Sequence, residues 1–412
     1  MYSDKYIGVY RIINFYYVII MEKKLFLKSG RADSVERLHP WIFSGAISGA
    51  EGALTDGDWV DVYDASKKYL ASGFLHDGSI TVKIYTYSKQ EPNQLFWEDK
   101  VANAFLFRQQ LGFPNTQTNA YRLIHGEGDG FPGLIVDVYG ETAVFQAHSI
   151  GVFLHKEYIA EAIMKLGGGT IKAVYNKSAT TLPSEFAQSH PDGFILGETP
   201  PNGVVSENGY KFLIDWKLGQ KTGFFLDQRD NRFLLGAYAK GKSVLNTFAY
   251  SGGFSIYAAG NQAIKIDSVD VSKSAIEILN KNFNINSYNN DLYNSYNNET
   301  IPFIKNSEAY DIIILDPPAY AKSISKRHNA VQGYKRLNKA GMDKVKKGGL
   351  LFTFSCSQVV DRNLFYNTVM SAAIETGRQV RVIHHLSQPA DHPVNIYHPE
   401  GAYLKGLVLK LD

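Results

Sequence analysis

Four aliphatic residues in a row, Ile312-Ile313-Ile314-Leu315, lie between Tyr310-Asp311 and Asp316-Pro317-Pro318. An unbroken apolar run this short, with polar residues at both ends, predicts a strand buried on both faces, as in a parallel sheet covered by helices. The two prolines lack amide donors, so the chain leaves the sheet there and presents Asp316 at the strand's C-terminal end. Open α/β sheets bind their ligands at that end. Gly348-Gly349-Leu350-Leu351-Phe352-Thr353-Phe354 repeats the plan and runs into Ser355-Cys356-Ser357. If the two strands are neighbours, Asp316 and Cys356 share one crevice.

Elsewhere the pattern divides the chain. Short apolar segments at 24–27, 59–63, 69–74 and 81–87, separated by turns such as Asp56-Gly57-Asp58 and Asp77-Gly78-Ser79, predict a small β-barrel. Trp41 and Phe43 read as its core aromatics beside a solvated edge carrying Lys28, Arg31, Arg37 and His39. Residues 97–112 have helical spacing and end on glycine. Glycines 126, 128, 130 and 133 make a tight connection into a strand at 134–139; a hairpin partner at 143–148, a helix over 151–165 and a strand at 171–176 complete a small α/β unit. No Gly-Lys-Ser/Thr follows these glycines, so they do not form a phosphate loop.

From about Gly203 the order becomes strand (212–215), loop into helix (219–232), strand (243–248), Ala249-Tyr250-Ser251-Gly252-Gly253, helix to Gly260, strand ending in Asp270, and a helix from an N-cap at Ser272 to Phe283. This is the βαβ unit that cradles an adenosine, with Asp270 placed for the ribose hydroxyls. The Gly-x-Gly-x-x-Gly of a dinucleotide site is missing, which suits S-adenosylmethionine better than NAD. The Asn-rich stretch from Asn284 to Thr300 reads as a surface excursion around the third strand.

Composition narrows this picture. At 412 residues the chain has room for two or three domains, and 44% hydrophobic residues with 13% aromatics argue against bulk disorder. With 43 basic and 40 acidic side chains the net charge is +3, which permits nucleic-acid binding without announcing it. A single cysteine excludes an internal disulfide and any multi-cysteine zinc site, and points to a reducing compartment, the cytoplasm. Residues 1–20 are apolar but carry Arg11 and Asn14 and are shorter than a spanning helix; with Met21-Glu22-Lys23 following, they are expected to be an N-terminal extension or a start-site artefact and not a membrane anchor. Lys322, Lys326, Arg327, His328, Lys335, Arg336 and Lys339 form either a solvated helix face or a phosphate-contacting one. His384, His385, His392 and His398 lack helical ligand spacing, so structural or substrate contacts are favoured and no metal is expected.

Several stretches together resemble one family, the class I S-adenosylmethionine-dependent methyltransferases that make 5-methylcytosine in large-subunit (23S) ribosomal RNA and carry an N-terminal PUA domain. They are His39-Pro40-Trp41-Ile42-Phe43, Glu127-Gly128-Asp129-Gly130-Phe131-Pro132-Gly133-Leu134, Lys221-Thr222-Gly223-Phe224-Phe225-Leu226-Asp227-Gln228-Arg229, Asp316-Pro317-Pro318-Ala319-Tyr320-Ala321-Lys322-Ser323, Ser355-Cys356-Ser357 and Asp391-His392-Pro393. The resemblance implies an α/β protein: a PUA-like RNA-binding β-barrel over 21–95, a central α/β (EEHEE-like) domain over 96–202 and a Rossmann-like methyltransferase domain over 203–412. It makes Phe225, Gln228, Arg232, Phe248, Tyr250, Gly252, Asp270 and Asp316 candidates for the cofactor pocket and Cys356, with Asp316, the catalytic pair. Asp291, with Glu299 as fallback, would be the acid that the family places after the third strand against the adenine amine. Pro317, Tyr320, Lys322, Tyr334, Arg37 and His39 are candidate substrate contacts.

The implied chemistry explains the thiol. Cytosine C5 is too weak a nucleophile to take a methyl directly, so a thiolate adds to C6 and pushes electron density to C5. Charge then builds toward N3 and O2, where Asp316 can stabilise it, and a base that these residues do not identify removes the C5 proton. The alternatives are an exocyclic-amine or uracil-C5 RNA methyltransferase, or a non-catalytic RNA-binding ribosome assembly factor. Whether the protein forms a homodimer stays open.

Overall fold

The computed structural model describes residues 22–200, 202–288, 290–321 and 323–412; residues 1–20, read above as an extension, and Lys322 lie outside them. The first strands are β1 (Lys24–Leu27), β2 (Trp41–Phe43), β3 (Ile47–Glu51), β4 (Trp59–Tyr63), β5 (Tyr69–Leu75) and β6 (Ile80–Thr86). They form one sheet in the order β2-β6-β5-β4-β1-β3. Register shifts in the β1–β3, β4–β5, β5–β6 and β2–β6 ladders bend it around a small apolar core that includes Leu27, Val60, Val62 and Val82. The expectation that Trp41 and Phe43 belong to this core is corrected: Trp41 is half-buried and Phe43 is 48% exposed. Ile42 is the β2 residue that faces the core, so the alternation of the strand turns Trp41 and Phe43 to the opposite face, and the Trp41 indole donates to Glu127 Oε1 (2.9 Å) in the next unit.

That unit opens with a helix, Gln94–Gln110, capped by Asn93, whose side chain accepts from the Phe96 amide. A sheet follows, built from β7 (Ala120–His125), β8 (Leu134–Tyr139), β9 (Thr142–Ala147), β10 (Ala173–Asn176) and β11 (Gly193–Gly197), in the order β11-β10-β9-β8-β7. The single helix expected over 151–165 is two pieces, Ile150–Leu154 and Lys156–Leu166, broken at His155. Barrel and sheet share a core: Phe74 and Tyr85 pack with Phe96 and Trp97, and the Tyr85 hydroxyl donates to the Pro132 carbonyl (2.7 Å).

A hairpin of β12 (Asn202–Glu207) and β13 (Tyr210–Asp215) leads into the largest layer. Here β14 (Ser243–Thr247), β15 (Lys265–Asp270), β16 (Tyr293–Asn297), β17 (Tyr310–Leu315), β18 (Val345–Ser355), β19 (Val380–Leu386) and β20 (Lys405–Leu411) form a sheet in the order β16-β15-β14-β17-β18-β20-β19. All its pairs are parallel except those made by β20. The aliphatic run Ile312–Leu315 is buried on both faces, as its composition requires. Part of the Asn-rich stretch is strand and not excursion: β16 pairs with β15 at the sheet edge, where polar side chains are tolerated because one flank faces water. Among the described residues, no helix is long and apolar enough to cross a membrane.

Buried ion pairs tie the second unit to the third. Asp391, fully buried, accepts from the Arg229 guanidinium (2.9 Å) and the Arg122 amide (3.0 Å), while its own carbonyl accepts from Arg108 (3.0 Å). Arg122 in turn grips Asp137 with both arms (2.7 and 2.8 Å), and Thr222 donates to the same carboxylate (2.6 Å). Removing one partner of such a pair strands the other charge away from water. Asp391→Ala is therefore expected to cost about 3–5 kcal/mol of stability, measurable as a lower urea midpoint. Asp391→Asn, which gives up the charge but keeps an acceptor for the Arg122 amide, should lose less; equal losses would show that the charge pair carries the whole effect and the Arg122 bond none of it.

Candidate active site

Strands β17 and β18 are parallel neighbours, with Leu315 opposite Thr353. Asp316 therefore leaves the sheet beside the turn that carries Cys356, and the two share a crevice at the C-terminal edge. The Asp316 carboxyl sits deep, crowded by protein atoms; burial and the negative charge of Asp227 push it up to about 7, against the Gln228 amide and the Lys221 and Arg232 cations. Cys356 is half-buried, and burial, with Asp316 and Asp227 added, pushes its thiol above the ordinary range, opposed by Lys221. Its turn is pinned from both sides. Lys405 Nζ donates to the Ser357 carbonyl (2.6 Å), Ser357 Oγ to the Ala321 carbonyl (2.7 Å), and Ser355 Oγ to the Tyr334 hydroxyl (3.0 Å).

One crossover away, the loop after β14 carries two non-glycine residues in left-handed backbone, Phe248 (φ 53°) and Tyr250 (φ 46°), followed by Gly252 (φ 83°). Such strain persists only where surrounding bonds over-determine it. Here the Tyr250 amide donates to Asp270 Oδ2 (2.9 Å), the Ser272 amide donates to Asp270 Oδ1 (2.8 Å), and the Tyr250 hydroxyl donates to the Gly223 carbonyl (3.1 Å). A Cβ at Gly252 would lie 2.8 Å from Leu279, so the loop packs as closely as glycine allows. The Phe225 ring stands edge-on to Tyr250, with centroids 5.2 Å apart. These residues suit an adenosine-bearing sulfonium. Asp270 spends two of its roughly four acceptor directions on the loop and keeps the others for ribose hydroxyls, while the aromatics and glycines offer an apolar wall without a phosphate nest.

Two candidates frame this pocket through others. Arg232 commits its fork to Glu207 (2.9 and 2.7 Å) and its remaining arm to the Phe225 carbonyl (2.9 Å), holding the Phe225 loop in place. Gln228 is buried, and its carbonyl accepts from Asn231 (2.6 Å).

Other candidates move. Asp291 lies in a short turn before β16, at the strand's N-terminal end, because Tyr293 pairs with Ile266 and Asn297 with Asp270. It is a strand's length from the ligand edge; Asn297 and Asn298 occupy the place expected for an acid. Tyr334 is fully buried, hydrogen-bonded to Ser355 and packed on Phe365, so it is a core residue and no substrate contact. Tyr320 rests against Tyr334, with centroids 4.7 Å apart. Pro317 is buried, His39 is half-buried and Arg37 is exposed on the barrel. Of the basic run, Lys335 pairs with Glu375 and Lys339 with Asp343, whereas Lys326, Arg327, His328 and Arg336 face solvent.

What periodicity did not disclose is a cavity of about 560 Å³ where all three units meet. The barrel contributes Trp41 and Lys83, the central unit His125, Glu127 and His148, and the third Lys221, Phe225, Asp227, Gln358 and Tyr403. Burial pulls Lys83 down from its usual range and His148 down to about 4. Also at this junction, His398 lies against the Trp41 ring (4.2 Å), and Glu400 Oε2 lies 3.9 Å from His39 Nε2 and 3.7 Å from His398 Nε2. The only trace of this cavity in the chain is that Trp41, Glu127 and the Lys221–Arg229 stretch carry conspicuous motifs.

A largely parallel sheet in this order, a strained glycine-bearing loop after its first strand and a thiol beside a carboxyl define a Rossmann-like methyltransferase with an added barrel. Residues 172–409 match the family model described as S-adenosylmethionine-dependent methyltransferase, and residues 25–87 match that of a PUA-like domain. The chain belongs to the S-adenosylmethionine-dependent methyltransferase family. Among its relatives, the protein named ribosomal RNA large subunit methyltransferase I of Alteromonas mediterranea is 36% identical over 95% of this chain and 99% of its own, and that of Aeromonas salmonicida is 36% identical over 94% and 98%. A solved structure described as a SAM-dependent methyltransferase from Streptococcus mutans shares the fold, with a TM-score of 0.80 at 23% identity, covering 94% of this chain and 99% of that one. A methyltransferase solved in complex with SAH superposes similarly, with a TM-score of 0.81, 23% identity and coverage of 94% and 99%.

The raised Asp316 carboxyl has a consequence for stability. Its folded value, about 7, lies above the ordinary 3.8, so the unfolded chain releases a proton that the folded chain keeps, and folding is penalised increasingly as pH climbs between those values. Asp316→Asn removes the penalty. The gain in thermal midpoint over wild type should grow from pH 5 to pH 7 and level off above; a gain independent of pH would contradict the raised carboxyl.

Proposed function

We propose that this protein methylates C5 of a cytosine in large-subunit ribosomal RNA through a covalent adduct between Cys356 and cytosine C6. The observation that carries the reading is the juxtaposition of Asp316 and Cys356 on neighbouring strand ends, in a chain whose relatives are named for large-subunit rRNA methylation. S-adenosylmethionine supplies an electrophilic methyl group. The protein's own residues do the rest. Lys221 opposes the burial that keeps the Cys356 thiol protonated and so favours the thiolate that adds to C6. Asp316, able to hold a proton near neutral pH, donates toward N3 as electron density moves into the ring. The exposed cations of the barrel edge and of the 326–336 helix face suit RNA phosphates. In this reading residues 21–95 and 96–202 present the RNA and 203–412 carry the chemistry.

Exocyclic-amine methylation is the nearest rival, since Asp-Pro-Pro with a nearby aromatic can hold an amino group. The packing of Tyr320 weighs against it: the ring lies on the helix Arg327–Lys344, so close to Gly333 that a Cβ there would approach it to 2.9 Å. A ring held in that position is not free to stack on a base.

The test is methyl transfer from labelled S-adenosylmethionine to large-subunit rRNA lacking its own modifications, followed by identification of the labelled nucleoside. Wild type should give 5-methylcytidine, and Cys356→Ala should give no label above background while still binding the cofactor. Label in an N-methylated base, or activity that survives the substitution, would return Cys356 to the core and favour amine chemistry.

A further inference from the structure

Methylation at C5 leaves a carbon that carries both the new methyl and its original hydrogen. Until a base takes that proton, the ring stays saturated and the enzyme stays bonded to its RNA. The base must be ionised or neutral at working pH, must face the cavity, and must lie near both Cys356 and Asp316. Few groups qualify. His392 is fully buried and tied to Asp391 (3.0 Å), and His125 lies within reach of Arg122 (3.1 Å) and against His392. His148 faces the cavity, but the charged groups that act on it are Lys83 and Arg122, not the catalytic pair. Lys405 is buried and spends its ammonium on the Ser357 carbonyl.

Asp227 meets every requirement. It sits in the short turn Leu226–Gln228, between the Lys221–Phe225 loop and the helix Arg229–Ala239. The residue is 6% exposed and lines the cavity beside Lys221, Phe225 and Gln358. One oxygen, Oδ2, accepts from the Tyr403 hydroxyl (2.7 Å) and lies 3.9 Å from Lys221 Nζ. The other, Oδ1, is buried and has no hydrogen-bond partner among the described residues. A buried carboxylate oxygen left unpaired costs stability, and such a cost points to a use. The charge of Asp227 acts on both Asp316 and Cys356.

We infer that Asp227 is the general base that removes the C5 proton and so frees the methylated RNA from Cys356. This rests on the C5 reading above. In the step, Oδ1 takes the proton, the C5–H electron pair re-forms the C5=C6 double bond, and the C6–S bond breaks with its electrons returning to Cys356 as thiolate. Tyr403 holds the carboxylate in orientation from the opposite side. The electrostatics agree: against burial, Lys221, His392 and the Tyr403 hydroxyl hold Asp227 below its ordinary range, while Asp316 is pushed above its own. Two neighbouring carboxyls driven apart in this way divide into an acid and a base.

The experiment follows the fate of the adduct. Wild type and Asp227→Asn are each mixed with S-adenosylmethionine labelled in its methyl group and with unmodified large-subunit rRNA, or with the same RNA transcribed with 5-fluorocytidine, whose fluorine no base can remove. Products are separated on denaturing gels. Wild type should trap on the fluorinated RNA and turn over on the ordinary one; if it does not trap, the C5 reading itself fails. Asp227→Asn should trap on fluorinated RNA like wild type, yet on ordinary RNA accumulate a labelled protein–RNA adduct released at least about 100-fold more slowly. Release at the wild-type rate would overturn the inference. If the variant loses cofactor binding and trapping together, Asp227→Glu decides: adduct formation with slowed release supports a base, and an equal loss of both makes Asp227 a structural residue.

Discussion

The buried carboxylate of Asp391 holds the site together. It comes from the segment after β19, yet it receives hydrogen bonds from Arg229 at the head of the helix Arg229–Ala239 and from the Arg122 amide in the central sheet. Three stretches far apart in the chain thus converge on one charge. Each charge there is affordable only because the others are present: Arg229 and Asp391 both lie almost wholly out of water. The same packing brings Lys221, Asp227 and Tyr403 to one wall of the cavity. A weaker link would let the barrel and central sheet drift from the methyltransferase layer, and the cavity between them would lose its shape.

Within that frame, burial does the chemical work. Asp316 and Asp227 are both acids in a poorly solvated crevice, and each raises the cost of ionising the other. Lys221 and Tyr403 relieve Asp227, while at Asp316 the Gln228 amide, Lys221 and Arg232 do not offset burial and the Asp227 charge. One carboxyl keeps its proton and the other gives it up. Cys356 lies in the same field, which favours its thiol form against the opposing charge of Lys221. The strained loop at Phe248–Gly252 belongs to the same economy of position: its left-handed residues cost of order 1–3 kcal/mol each, and the Asp270 carboxylate holds them there.

Much of this was legible from residues alone. The aliphatic run into Asp316-Pro317-Pro318 and the second strand into Cys356 specify two buried parallel strands, because only a covered sheet accommodates unbroken apolar runs that end at prolines. The acid closing β15 and the N-cap at Ser272 follow equally local rules, and the Ser272 side chain does accept from the Ala275 amide. Local rules failed where burial depends on a distant partner. Asn-rich residues 293–297 have little strand propensity, yet the edge of an existing sheet recruits them. That pairing sets Asp291 at the wrong end of the strand for an adenine contact. Tyr334 looks like a stacking residue until the helix bearing it is laid on the sheet, and Trp41 and Phe43 look like core until the barrel closes without them.

By itself, then, the sequence determined that Asp316 and Cys356 close two buried strands and the kind of sheet that presents them, since period, proline and glycine act over a few residues. The tertiary structure decided which side chains surround that pair. Tyr403, Lys83 and His148 are ordinary residues scattered across the chain, and Asp227, though it lies in the conspicuous Lys221–Arg229 stretch, has no role assigned by that motif; their meeting at one cavity depends on long-range ion pairs that no local pattern encodes.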